Sequence, residues 1–480
     1  AESDQDWLPA DPGQAVRLKP QGKTTRLELE LIGQRVSLDP SADNLVVGSD
    51  EPVKELSYTC GLMATPVKPV DRDAWDLRST TLYANVYEAM EPGPDGKSQL
   101  DVMAESGVKT VSLMDWTDIL CYNQPTEPER LKRFVEACHQ RDMQVLVYFG
   151  YQISDAAPEF AQYLEEAANW SEPREYSYEY GLDNYPPKPV QTVYRVCYKS
   201  LWEDFVVAGA TKLVDEFEID GVYLDGTTVP LPCYNGHHGC GYRDAQDRWR
   251  PTLPIFECRR FAQRLYTALR SRNPGAQVNL HNSAFMVAPS IAYATSLWDG
   301  EQLSDAPGTF MLDRLPPDMF RTEFMGHNWG VPQEFLDYVL PGDYLAKWGL
   351  TLLHDVPTRP YGAKEQLPYA AAIWRLMDQF GRKEATWHPY WSKAGAKLVT
   401  VTPVGVYASL YQNPKTGVLV VVDNLGREEA EATVKLNLTA LKLPKTATAK
   451  DGLTDQALEL KAGVLTLRLP ALGWRAVWVR

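Results

Sequence analysis

The residue with the clearest capacity for chemistry is Asp225. It ends the apolar run Gly221-Val222-Tyr223-Leu224 and is followed by Gly226-Thr227-Thr228. A carboxylate beyond a buried strand is costly to desolvate without a partner or a task. One task is capping the next turn, because Asp accepts backbone N–H bonds. Another is to act as a base or nucleophile. A second acidic group, Asp299-Gly300-Glu301, follows the run Ala294-Thr295-Ser296-Leu297-Trp298. Residues two apart in extended chain face the same side. Two carboxylates from separate strands can divide a hydrolysis between them: one attacks or activates water, the other protonates the leaving oxygen. The acid must keep its proton near neutral pH, which burial or a neighbouring negative charge arranges. Two solvated acids in a turn are the simpler alternative. Spacing makes Asp225 the nucleophile and Glu301 the acid/base, with Asp299 close behind or holding a substrate hydroxyl.

These acids need elements to position them. Short apolar runs alternate with helical patterns between residues 76 and 382. The strand candidates are Thr81 to Val86, Thr110 to Met114, Gln144 to Phe149, Gly221 to Leu224, Gln277 to Leu280, Ala294 to Trp298, Val331 to Phe335 and Thr351 to His354. Helical patterns include Glu127 to Arg141, Leu201 to Phe217 and Ile255 to Arg272. Eight such units point to an α/β fold, a (β/α)8 TIM barrel, whose chemistry sits at the C-terminal strand ends. An open doubly wound sheet is the competing arrangement, but no Gly-rich phosphate loop follows the first strand. Residues 1–75 carry period-two segments such as Thr25 to Leu31 and Leu56 to Cys60, which read as an N-terminal β region. Residues 383–480 are runs of strands joined by turns, which read as a C-terminal antiparallel β-sandwich.

Other expected strand ends are polar too: Asp115-Trp116, His281-Asn282, His354-Asp355, and around the seventh His327-Asn328-Trp329 and Glu334. Such groups beside aromatic rings can hold the hydroxyls and stack on the apolar face of a sugar. Asp115, Trp116, His238, His281, Asn282, Trp298, His327 and Trp329 are therefore the candidate substrate-binding residues. The loop after Asp225 reads Cys233-Tyr234-Asn235-Gly236-His237-His238-Gly239-Cys240. Its two Cys and two His invite a zinc reading, but their spacing departs from the usual finger pattern. A Cys233–Cys240 disulfide comes first, two free thiols second and a metal third. No metal and no cofactor is expected.

Composition sets outer bounds. A net charge of −15 without a basic run argues against a nucleic-acid partner. No stretch approaches the ~20 apolar residues of a membrane span. Ala1-Glu2-Ser3-Asp4 fits a terminus left by signal cleavage, so a secreted or periplasmic location is the expectation, although seven Cys do not settle the compartment.

Gly61 to Pro69, Gly221 to Thr227 and His238 to Tyr242 resemble a group of bacterial glycoside hydrolase-like barrel proteins, over roughly residues 55 to 480. More distantly the chain resembles clan-D retaining glycosidases such as α-galactosidases and α-N-acetylgalactosaminidases. That resemblance implies a nucleophile after the fourth strand and an acid/base Asp after the sixth, which favours Asp299 over Glu301. It also implies a galactoside or N-acetylhexosaminide as carbohydrate substrate. The clan-D Lys two residues before the nucleophile is Tyr223 here. Family 123 enzymes use an adjacent Asp-Glu pair. Asp50-Glu51 and Asp215-Glu216 lie in the β region and an expected helix, so that mechanism is not carried over. A non-catalytic carbohydrate-binding barrel and a metal-dependent hydrolase using the His-rich strand ends are the alternatives.

Overall fold

A computed structural model of the chain describes residues 15–21, 24–31, 34–39, 44–49, 63–70, 76–83, 85–170, 177–181, 190–243, 246–281, 288–301, 310–337, 344–360 and 366–480. Two compact units result, residues 1–64 with 285–288, and residues 65–284 with 289–480. In the first, Ala15–Gln21, Thr24–Leu31, Gln34–Asp39 and Asn44–Ser49 form an antiparallel meander. The expected strand at Leu56 to Cys60 lies outside the described residues.

In the second unit eight strands pair in chain order, all parallel: Ser79–Leu82, Thr110–Leu113, Gln144–Phe149, Gly221–Asp225, Gln277–His281, Ser296–Asp299, Gln333–Asp337 and Thr358–Pro360. The eighth lies against the first, so the sheet is a nearly closed barrel. Trp298, Tyr223 and Arg359, from the sixth, fourth and eighth strands, meet inside it. The Trp298 ring lies 4.4 Å from that of Tyr223, and the Arg359 guanidinium 3.6 Å from Trp298. Alternate strands filling one interior layer is the packing rule of this barrel. Glu334, from the seventh strand, ties this layer to the first strand, accepting from Trp298 Nε1 at 2.8 Å and from the Ser79 amide at 3.3 Å.

Four expected strands shift, the sixth and seventh by two residues at their starts. The first runs Ser79–Leu82, because Asn85 turns left-handed and Val86–Met90 is a 3-10 helix. Thr351 to His354 is not the eighth strand. It belongs to the end of the helix Tyr344–Leu353 and the turn after it, and the strand is the three-residue Thr358–Pro360. Trp348, Leu350, Leu352 and Leu353 are all buried, and a run this apolar reads alike as buried helix or buried strand.

The surrounding helices follow their apolar spacing. Trp202–Phe217 buries Trp202, Val206, Ala210, Leu213 and Phe217 and packs against Ile255–Arg272, which buries Cys258, Phe261, Ala262, Leu265 and Leu269. Arg260 and Arg264 both reach the buried Glu203 carboxylate, at 2.7 Å each, and so pin the two helices together. Beyond the barrel, Thr386–His388, Val406–Asn413, Gly417–Asn424, Trp474–Val479, Ala449–Asp451 and Ala457–Leu458 form one antiparallel sheet. Val399–Thr402, Ala430–Leu436 and Val464–Leu469 form a second. Their inner faces share a core that includes Val420, Val422, Val434, Leu465, Leu467 and Val477, which makes this region a β-sandwich.

Candidate active site

Two glycines bracket the strand that carries Asp225. Gly221 has φ 155°, and a Cβ there would stand 2.0 Å from the Gln277 carbonyl oxygen of the neighbouring strand. Gly226 has φ 62°, and its Cβ would meet the Tyr151 ring at 2.6 Å. The strand can therefore press against its neighbour at its start and bend sharply at its end. The Gly226 amide donates to the His281 carbonyl at 3.0 Å, locking the ends of the fourth and fifth strands together.

Strand alternation aims Tyr223 and Asp225 inward, and His281 matches Asp225 in register. Asp225 accepts from Tyr148 Oη at 3.2 Å, and its other oxygen lies 3.2 Å from His281 Nδ1. His281 Nε2 lies 3.2 Å from Glu301 Oε2. The Tyr223 hydroxyl also reaches His281 Nδ1, at 2.6 Å. The imidazole, 1% exposed, thus spans two carboxylates that are 32% and 47% exposed. Burial works against a charged ring here, but the adjoining Asp225 and Glu301 outweigh it and push the pKa up to about 9. His281 is a cation at neutral pH. Burial, then the Asp225 charge, raises the Tyr148 phenol well above its ordinary value, so it remains a donor.

Asp299 does not join this group. Trp298 points into the barrel, so Asp299 faces outward against the helix layer. Its strand partner Phe335 does the same, packing on Phe320 and Phe324 of the segment around helix Pro317–Glu323. Asp299 is 0% exposed and shares a hydrogen bond with Glu323. Burial, then the charge of Asp299, pushes Glu323 up to about 8, so this pair shares a proton at neutral pH. Glu301 parts from Asp299 because the strand ends between them. Gly300 takes φ 130°, where its Cβ would stand 2.8 Å from the Leu336 carbonyl oxygen. The expectation that the two acids face one side assumed extended chain, and the chain is no longer extended there.

The remaining candidates separate clearly. Asp115 is exposed just past the second strand. Asn282 lies outside the described residues. Trp116 and Trp298 are each 1% exposed and so are packing rather than open platforms. Trp116 Nε1 donates to the Tyr148 carbonyl at 2.9 Å. His238 turns Nδ1 to the Glu166 carbonyl at 2.7 Å and Nε2 to Cys233 Sγ at 3.1 Å, away from a role in holding substrate. Trp329 Nε1 donates to the Glu323 carbonyl at 2.9 Å. His327 stacks on Trp387 and lines a cavity of about 540 Å3 with Asp76, Arg78, Asp355 and Arg382. Asp76 and Val356 precede the first and eighth strands, so this cavity opens at the N-terminal end of the barrel, opposite Asp225. His354 is buried after its helix, and burial lowers it to about 4. Cys233 and Cys240 are free thiols and not the expected disulfide.

Sequence reasoning missed Tyr148 and Glu323. Tyr148 stands one residue before the end of the third strand, a position alternation could have flagged as inward. Glu323 carries no such signal.

Among the described residues no helix is long and apolar enough to cross a membrane. No family model matches the chain, and no curated protein does. Solved structures do. An α-amylase from Lactobacillus plantarum is 10% identical with a TM-score of 0.56, over 85% of this chain and all of that one. A maltogenic α-amylase from Thermotoga neapolitana is 12% identical at 0.51, over 84% of this chain and all of that one. A family 27 β-L-arabinopyranosidase from Geobacillus stearothermophilus is 10% identical at 0.50, over 79% and 90%. At such identities the likeness is one of fold. The chain has the (β/α)8 barrel fold that these structures share.

Proposed function

We propose that this protein is a glycoside hydrolase whose opposed carboxylates are Asp225 and Glu301. One observation carries the reading: at the C-terminal strand ends, where barrels of this kind place their chemistry, both acids converge on a single buried imidazolium. The solved structures of similar fold named above are glycosidases, which supports the class.

Asp225 serves as nucleophile or general base. Tyr148 and His281 orient its two oxygens. Glu301 and His281 together hold the proton for the leaving oxygen, with the more exposed Glu301 as the group that meets substrate. A ring held between two 3.2 Å contacts keeps the bridged oxygens roughly 6–8 Å apart. That is nearer the ~6.5–9.5 Å of inverting pairs than the ~5–5.5 Å of retaining ones. The spacing therefore favours inversion, against the retention that the clan-D resemblance implies. A galactoside or N-acetylhexosaminide is the substrate class that resemblance supports.

A panel of aryl glycosides tests the proposal. Turnover of one of them, abolished in Asp225→Ala with the fold intact, is the expected result, and NMR of the released anomer then separates inversion from retention. Sugar binding with no turnover by the wild type would instead make the barrel a carbohydrate-binding protein.

A further inference from the structure

The loop that starts beside Asp225 ends in a second constellation. Cys197, Cys233, His238 and Cys240 bring their ligand atoms within 4.8 Å of one another. Three of these residues, Cys233, His238 and Cys240, come from the Cys/His loop after Asp225, but the fourth donor, Cys197, comes from a different place. It follows the strand Val190–Arg195 and precedes helix Trp202–Phe217. All three thiols are at most 2% exposed and form a cluster of their own.

We infer that Cys197, Cys233, His238 and Cys240 form a structural zinc site, Cys3His, that staples the loop after the fourth barrel strand to the segment before helix Trp202–Phe217. The Cys197 and Cys240 sulfurs are 3.9 Å apart. A Zn–S bond of ~2.3 Å at tetrahedral angles puts two sulfurs about 3.8 Å apart, whereas a disulfide requires about 2.05 Å. His238 is prepared as a ligand. Its Nδ1–H donates to the Glu166 carbonyl at 2.7 Å, which fixes the tautomer and leaves the Nε2 lone pair toward the thiols. The Lys199 amide points at Cys197 Sγ at 3.5 Å, the kind of N–H···S contact that stabilises a thiolate. His237 is excluded, since its ring lies 3.8 Å from Glu165 on the surface.

The loop is already shaped for this. Asn235 donates to the carbonyls of Glu165 and Ala168 at 2.9 and 2.7 Å and accepts from the His237 amide. The Cys240 amide donates to the Asn235 carbonyl, and Cys233 and Thr252 exchange both backbone bonds. With four protein donors no position is left for water or substrate, so the ion is structural. Loading displaces three thiol protons and leaves a site of net charge −1.

The test uses the full chain purified under reducing conditions and dialysed against chelating resin. About one zinc per chain is expected, together with thiols that resist alkylation until a strong chelator is added. Cobalt(II) exchanged into the wild type should give the visible bands of a tetrahedral ion with thiolate charge transfer. Cys197→Ser and His238→Ala should each lower zinc retention at least about tenfold against the same chelator, while His238→Cys retains it. A wild-type chain that takes up neither zinc nor cobalt overturns the inference. So does a native mass about 2 Da low that maps to a disulfide within this cluster. The wild-type readouts stand even where a variant fails to fold, and none depends on glycosidase turnover.

Discussion

Asp299 and Glu301 are separated by one glycine and live in opposite settings. Glu301 stands at the barrel mouth, 47% exposed, and shares a cationic ring with Asp225. Asp299 lies between sheet and helices, fully buried, and shares a proton with Glu323. The same functional group thus faces a neighbouring cation in one place and a second acid in the other. Proximity in sequence says little about chemistry once a strand has ended. What decides is the face on which each side chain leaves the backbone.

The comparison can be broken most directly at the mouth. Asp225→Asn should lower kcat on any responsive aryl glycoside by about 10³-fold or more, since it removes a group that acts on the reacting atoms. Glu301→Gln should cost about 10²–10⁴-fold, in the range of lost acid–base catalysis. Asp299→Asn should leave kcat within a few-fold. Equal losses in the last two variants, measured on folded protein, would end the distinction between the acids.

Titration sharpens it. His281 should titrate near pH 9 by NMR, and Asp225→Asn should bring that midpoint down, because Asp225 is the largest influence raising it. The sign for stability follows. The folded pKa, about 9, exceeds the ordinary value of 6.5. The ring therefore contributes stability that is fully present below about pH 6.5 and is lost as pH rises toward 9. Glu323 behaves alike in a lower window. Its folded pKa, about 8, lies above the ordinary 4.5, so its contribution is present below about pH 4.5 and lost as pH rises through 8. Glu323→Gln should flatten the fall in urea midpoint between pH 5 and pH 8, roughly the window those values define. A fall unchanged in that variant would show that the buried pair does not share its proton.

The smallest effect is expected at Tyr148. Phenylalanine there removes one hydrogen bond to Asp225 and should cost about 3- to 30-fold in kcat with little change in stability.

Much of the barrel was legible because its signals are local. Gln144–Phe149 and Ile255–Arg272 fall where their patterns put them. The eighth strand was not, because the buried helix Tyr344–Leu353 is as apolar as a strand and the true strand has only three residues. At the site, Asp225 and His281 could be named from strand ends alone. Trp116 and Trp298 were misread as sugar platforms because aromatic character is visible in sequence and burial is not.

By itself the sequence determined where apolar strands end and which carboxylates stand there, since those depend on neighbours along the chain. Only the tertiary structure decided that Glu301 turns to the mouth and Asp299 to the helices. It alone brought Cys197 to a loop some forty residues on. Both outcomes depend on faces and contacts between distant segments, and no local pattern encodes the distance between them.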